Sequence, residues 1–412
     1  MTTEITRFAG TPEAFTLCTN AAASKAAPWT PAQDAILSDA GLAAARETIT
    51  GWPGYAPTPL VALPALAQRI GVAEIRFKDE GGRFGLGSFK ALGGAYAVAR
   101  LLRAKVSDAL GRDVGMEEIT GKQHPGIVSQ ITVCCATDGN HGRSVAWGAQ
   151  TFGCACVIFI HATVSEGRRA AIAAYGAEVR RCKGNYDDSV REAQETATRE
   201  GWFVVSDTSY PGYMEVPKDV MQGYELMADE AVSAMQTPPT HIFLQTGVGG
   251  MAAAVTAHVA RKFGAARPTI VLCDPDRSAC VLASIRAGTP TAVEGDLDTL
   301  MAGLACGEVS ALAWEILRDH ADAVMEVTDD EAVAAMKWLA FPTGGDTPVV
   351  AGESAVAGLA GLAVAMKDAE ARAMLGLDAT SRVLVFGTEG DTDAALYEQL
   401  MGTTAAQVRG AA

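Results

Sequence analysis

The chain has 412 residues, 49% of them apolar and 20% charged, a globular composition with room for two or three domains and a large buried core. Its 33 basic residues against 48 acidic ones give a formal net charge of -15, which argues against nucleic acid or an anionic membrane as a partner, since both are held by basic surface. Six scattered histidines and nine cysteines without zinc spacing leave no metal site expected, and reduced, mostly buried thiols are expected in place of a disulfide framework.

In chain order, the opening stretch MTTEITRFAGTPEAFTLCTNAAAS contains Glu4, Arg7 and Glu13 and no uninterrupted apolar run, so no secretory signal is expected and the cytoplasm is the expected compartment. Residues 84–98, FGLGSFKALGGAYAV, place Lys90 among glycines at the start of a small-residue helix. From about residue 130, short β-branched runs alternate with segments of helical period. IVSQITVCCAT reads as a strand, NHGRSVAWGAQTFG as a helix closed by Gly153, and ACVIFI as the next strand. A helix opened by Ser165 follows, then the strands AEVRRC and WFVVSD with a helix between them. After a long helix near 217–235, HIFLQT, TIVLCD, AVMEV and SRVLVFG continue the series. The expected fold class is α/β, with mostly parallel sheets flanked by helices. So many strands imply two α/β domains, with TSYPGY and QTPPT as turn-rich linker points.

Four constellations carry candidate chemistry. TGVGGMA, residues 246–252, follows an apolar strand and opens a helix, so its backbone N–H groups suit a phosphate. The same letters fit a dinucleotide fingerprint through Gly247, Gly249 and Ala252, with Asp274 placed for a ribose contact, so an NAD-dependent dehydrogenase stays open at this point; so does a plain tight turn. ATDGNHGRSVAWGAQ sets Asp138, Asn140 and His141 at a strand end, where helix capping and action on a ligand are both open for the first two, and His141 reads as a hydrogen-bonded structural residue. Lys90 either sends its charge to solvent or keeps a desolvated amine of lowered pKa able to form a Schiff base; Gly85, Gly87, Gly93 and Gly94, which permit close approach, favour the second. FGTEGDTD ends a strand with Thr388, whose hydroxyl could hold the ring nitrogen of a flat cofactor, while Asp391 or Thr392 could cap the following helix.

Taken together, these motifs resemble the pyridoxal phosphate enzymes of the tryptophan synthase β-subunit fold, fold type II, and among them the diaminopropionate ammonia-lyase family. The resemblance spans roughly residues 50–400, through RFKDEGGRFGLGSFKALGGAYAV, ATDGNHGRSVAWGA, GYMEVPKDVMQGY, DLDTLMAGLACGE, GGDTPVVAGESAVAGL and GTEGDTD, and Asp138 before G-N-H is its more specific mark. It implies a large cofactor domain built from residues 1–101 and 241–412, and a small α/β domain of residues 102–240. It implies pyridoxal 5'-phosphate as the cofactor, with Lys90 joined to its aldehyde, Asn140 on its phenolic oxygen, Gly247, Val248, Gly249, Gly250 and Met251 as the phosphate loop, and Thr388 at the ring nitrogen. The implied reaction is β-elimination of 2,3-diaminopropionate to pyruvate and ammonia in a homodimer. Asp138 is the implied base on the D face, Lys90 the candidate on the L face, and Asp207, otherwise a turn residue, an acid near the substrate amine. The sequence departs from that pattern at Tyr210-Pro211, where a tryptophan and an acid are usual, and at Asp274, where glutamate is usual. The first departure keeps open a dehydratase or lyase for serine, threonine, hydroxyaspartate or another β-substituted amino acid, and a catalytically silent binding protein is a rival of another class. Cys280 and Cys306 match positions that pair in some relatives, and thiols are expected here.

Overall fold

The computed structural model of the chain describes residues 5–8, 15–137, 139–184 and 186–410. It contains twelve strands among those residues: β1 (Ile5–Phe8), β2 (Phe15–Thr19), β3 (Leu60–Ala62), β4 (Glu74–Asp79), β5 (Thr132–Ala136), β6 (Ala155–Ile160), β7 (Glu178–Arg181), β8 (Phe203–Val204), β9 (His241–Gln245), β10 (Thr269–Pro275), β11 (Ala323–Val327) and β12 (Arg382–Gly387). They form two sheets, in the orders β1-β2-β11-β10-β9-β12-β4-β3 and β7-β6-β5-β8. The five central strands of the first sheet are mutually parallel and only its edges are antiparallel, whereas the second is parallel throughout. The α/β expectation is borne out.

Two compact units contain these sheets: residues 1–36, 57–82 and 227–412 hold the eight-stranded sheet, and residues 37–56 and 83–226 the four-stranded one. The division at 226/227 falls inside the helix Glu215–Ala234, between the two turn-rich stretches, and residues 83–101 group with the four-stranded sheet. These boundaries differ from the expected 101/102 and 240/241.

Each unit follows from its sequence pattern. Every residue of β9 is buried, as expected of a strand covered on both faces, and Phe243, Val271, Met325 and Val385 form the core with the helix Ala357–Lys367. In the four-stranded unit, the helix Ala91–Leu110 lies against the helices Asn140–Phe152 and Glu215–Ala234 through residues without bulk. A Cβ on Gly94 would collide with Ser144, one on Gly148 would come within 2.8 Å of Ala95 Cα, and one on Gly223 would strike the Leu92 carbonyl. Gly93 likewise faces Val220 and Tyr224. The glycines after Lys90 therefore admit neighbouring helices.

Candidate active site

The carboxyl ends of parallel strands are where ligands bind in open α/β sheets, most of all where neighbouring strands connect in opposite directions. In the eight-stranded unit that point lies between β9 and β12, whose partners include Val385 with Phe243. Continuing that register sets Thr388 level with Thr246, so the glycine loop after β9 and the hydroxyl after β12 share one edge. Gly249 takes a left-handed φ of +88°, which favours glycine, and caps the 14-residue helix Gly250–Phe263. Gly247 is closely packed: a Cβ there would stand 3.1 Å from Leu304 Cα and 3.2 Å from Cys306 Sγ. The loop is thus held from behind, by packing and by the Ser310 N–H donating to the Val248 carbonyl at 2.9 Å.

Thr388 is buried, and its Oγ1 accepts a hydrogen bond from Gln245 Nε2 at 2.8 Å. The same Nε2 donates to the Phe386 carbonyl at 2.7 Å, which fixes the orientation of the amide. Because the threonine oxygen accepts from Gln245, its own proton is left to donate to a ligand acceptor. Sequence reasoning missed Gln245 as the residue that orients Thr388; a polar residue ending a wholly buried strand was the available signal. The helix after Thr388 is capped by Asp393, whose side chain accepts from the Leu396 N–H, in place of the expected Asp391 or Thr392. Asp391 instead pairs with Arg409 at 2.6 Å and Thr392 donates to Glu389 at 3.1 Å.

In the four-stranded unit the matching edge lies beside β5 and β8. Their pairing, Cys134 with Val204, carried three residues on sets Asp207 level with Thr137, at the start of the loop that leads to Asn140. Asn140 is half-buried and begins the helix Asn140–Phe152; Asp138 lies outside the described residues. Thr137 ties the loop by accepting from the N–H groups of Gly139 at 3.0 Å and Gly142 at 3.2 Å. Tyr213 braces the other loop, accepting from the Ser206 N–H and donating to the Val204 carbonyl, both at 2.9 Å.

Lys90 is the residue just before the helix Ala91–Leu110, and its Nζ donates to Asp207 Oδ2 at 2.6 Å. The Lys90 side chain is 21% exposed, with its amine 5.4 Å from the Phe89 ring centroid and 5.8 Å from that of Tyr224. Lys90 thus neither reaches into bulk water nor stands isolated, as the desolvated-amine expectation required; its ammonium has a carboxylate partner. His141 Nδ1 lies 3.7 Å from the same Asp207 oxygen, while its Nε2 is bonded to the Val205 carbonyl at 2.7 Å. Burial alone would raise the Asp207 carboxyl, but the Lys90 ammonium and then His141 hold it well below the usual carboxylate range. Asp207 is therefore more than a turn residue.

Asp274 is committed within the fold. Its carboxyl is fully buried, accepts from the Leu282 N–H at 2.8 Å and is hydrogen-bonded to the Thr246 hydroxyl. Burial pushes this acid up to about 7 against those bonds. It is not available to a ribose, which removes the contact on which the NAD-dependent dehydrogenase reading rested.

A comparison with protein families matches residues 52–387 to the family described as "Pyridoxal-phosphate dependent enzyme". The chain belongs to that family. Diaminopropionate ammonia-lyase of Escherichia coli (strain K12) is 40% identical to it over 355 residues, covering 84% of this chain and 88% of the relative. The enzyme of the same name from Salmonella typhimurium (strain LT2) is 39% identical, covering 85% and 89%. Among solved structures, diaminopropionate ammonia-lyase of E. coli in complex with D-serine superposes with a TM-score of 0.85 at 36% identity, covering 94% and 96% of the two chains. The same enzyme with an aminoacrylate-PLP azomethine reaction intermediate gives a TM-score of 0.83. This pyridoxal-phosphate dependent enzyme has the fold type II architecture. Its residues suit the cofactor: a close-packed glycine loop at a helix start for the phosphate, a buried hydroxyl with a proton to give, and a lysine amine.

Proposed function

We propose that this chain is a lyase that uses pyridoxal 5'-phosphate to eliminate the β-amino group of 2,3-diaminopropionate, yielding pyruvate and two molecules of ammonia with uptake of one water. The observation that carries the proposal is Lys90 hydrogen-bonded to Asp207 at the strand-end edge, in a chain 40% identical to diaminopropionate ammonia-lyase over 84% of its length. When bound, the cofactor withdraws electrons from the carbon that carries the substrate α-amine. Lys90 holds its aldehyde and, once displaced by substrate, is the proton carrier on the L face; Asp138 is the base on the D face. Asp207 holds the Lys90 amine in place and, once substrate arrives, pairs with the substrate amine. Gly247, Val248, Gly249, Gly250 and Met251 bind the phosphate, Asn140 faces the phenolic oxygen, and Thr388 donates to the ring nitrogen. A neutral hydroxyl at that nitrogen makes a weaker electron sink than a carboxylate, which suits a reaction whose leaving group takes the electrons quickly.

In this reading the eight-stranded unit is the large cofactor domain and the four-stranded unit the small one. The molecule acts as a homodimer, as the family resemblance implies, and the cytoplasm is its compartment, where thiols such as those of its nine cysteines stay reduced. Pyruvate formation from D- and L-diaminopropionate, serine, threonine and hydroxyaspartate tests the substrate. The departure at Tyr210-Pro211 keeps a dehydratase as the second reading, since Tyr210 stacks on Tyr213, the residue that braces the Asp207 loop. Diaminopropionate turned over fastest supports the lyase; serine or hydroxyaspartate turned over far faster than either diaminopropionate isomer overturns it.

A further inference from the structure

The helix Gly250–Phe263 begins at the proposed phosphate loop and ends, about 20 Å away at 1.5 Å per residue, beside a second cavity within the same unit. That cavity has a volume of about 300 Å³ and is bordered by Lys25, Trp29, Arg261, Arg267 and His320. Lys25 is exposed; its Nζ donates to Thr269 Oγ1 at 3.0 Å and makes no ion pair among the described residues. The Arg261 guanidinium lies 5.4 Å from the Trp29 ring centroid, and the Trp29 and His320 rings are 5.3 Å apart.

Acidic groups around the cavity are already engaged. Asp322 is committed to Arg267 through bonds of 2.5 and 2.9 Å, and Asp319 accepts from Arg318 at 2.8 Å and from Gln33 at 3.0 Å. His320 adds no charge at neutral pH, since burial and then Arg267 push its imidazole below the ordinary value. Two N–H donors of the bordering side chains, Trp29 Nε1 and Arg267 Nε, are buried without an acceptor among the described residues, and Arg267 is 2% exposed. Buried donors normally find a partner.

We infer that this cavity binds a small oxyanion, a carboxylate or a phosphate group held by Lys25 and Arg261, at a site separate from the catalytic one. Basic residues in the last turn of a helix complement its dipole, and that ordinary role accounts for Arg261. It does not account for Lys25, which reaches the cavity from the segment before the first helix, nor for the two donors without acceptors. The helix end itself offers carbonyls, so the ligand's charge is met by side chains alone. The volume is at the small end of ligand pockets and fits a compact anion.

The test uses the cofactor-loaded enzyme, so that the glycine loop is filled, in a phosphate-free buffer at fixed ionic strength. Inorganic phosphate and acetate are titrated separately by calorimetry and by tryptophan fluorescence. Saturable binding at one site per chain is expected, weakened at least tenfold in Lys25→Ala and in Arg261→Gln, with elimination in the absence of added anion unchanged by Lys25→Ala. Binding of phosphate but not acetate assigns a phosphate-bearing ligand; the reverse assigns a carboxylate. No saturable binding of either, or binding that both variants leave unchanged (an adventitious ion only), overturns the inference. So does a change in oligomeric mass in the two variants without anion binding, which would make the cavity a seat for a second copy.

Discussion

At side-chain scale Lys90 and Asp207 form a hydrogen-bonded ion pair with His141 beside it. His141 donates its Nε2 proton to the Val205 carbonyl and leaves Nδ1 3.7 Å from Asp207, beyond hydrogen-bond reach, so Lys90 is the group that bonds the carboxylate. Asp207→Asn keeps the shape but removes the charge, and kcat/KM is expected to fall about a hundredfold or more, in the range of positioned acid-base groups. An unchanged steady-state rate would leave Asp207 a turn residue. Asp138→Asn is expected to abolish turnover of the D isomer while sparing much of the L isomer's, because only one face loses its base; equal losses would mean that the residue merely positions substrate. Thr388→Val removes a hydrogen bond worth about 1 kcal/mol and leaves the Gln245 amide short of one acceptor. Cofactor affinity measured by equilibrium dialysis should drop several-fold to tenfold, and an undiminished affinity would place the ring nitrogen elsewhere.

The elements that carry these residues are held by close packing and by one buried acid. Gly223→Ala would drive a methyl group into the Leu92 carbonyl of the helix that follows Lys90. A loss of about 1–3 kcal/mol is expected from such overpacking, read by chemical denaturation, and wild-type stability would show that the helices have room to part. Asp274 joins the ends of β9 and β10 to the helix Cys280–Ala287 through Thr246 and Leu282. It is faced by Glu326 on β11 and by the Cys273 and Cys280 thiols. Its folded-state pKa of about 7 lies above the 3.8 of a free carboxyl, so the folded protein holds the proton more tightly. Its contribution is fully present below pH 4 and is lost as pH rises through 7, on the order of 4 kcal/mol at most. Stability of the wild type relative to Asp274→Asn should therefore decline between pH 4 and 8; parallel curves would show that the acid stays charged.

At the scale of the whole molecule, the parallel strands from β5 onward were legible because continuous β-branched runs between helical periods are distinctive. β1 to β4 were not. β3 is three residues long, and β4 buries Lys78, which reads as a surface residue until Glu230 is found 2.6 Å from its amine. The division inside a helix was equally hidden, since the helical pattern runs unbroken across residues 226/227. The glycine loop, Lys90 and Thr388 were visible as motifs, whereas the Gln245 and His141 contacts depend on strand register, which a motif does not encode. Among the described residues no helix is long and apolar enough to cross a membrane.

The most direct test is chemical. Purified protein loaded with pyridoxal phosphate is reduced with borohydride, digested, and mapped by mass spectrometry. A phosphopyridoxyl group fixed on Lys90, and lost in Lys90→Ala, is the expected result; attachment to another lysine, or to none, would contradict the account.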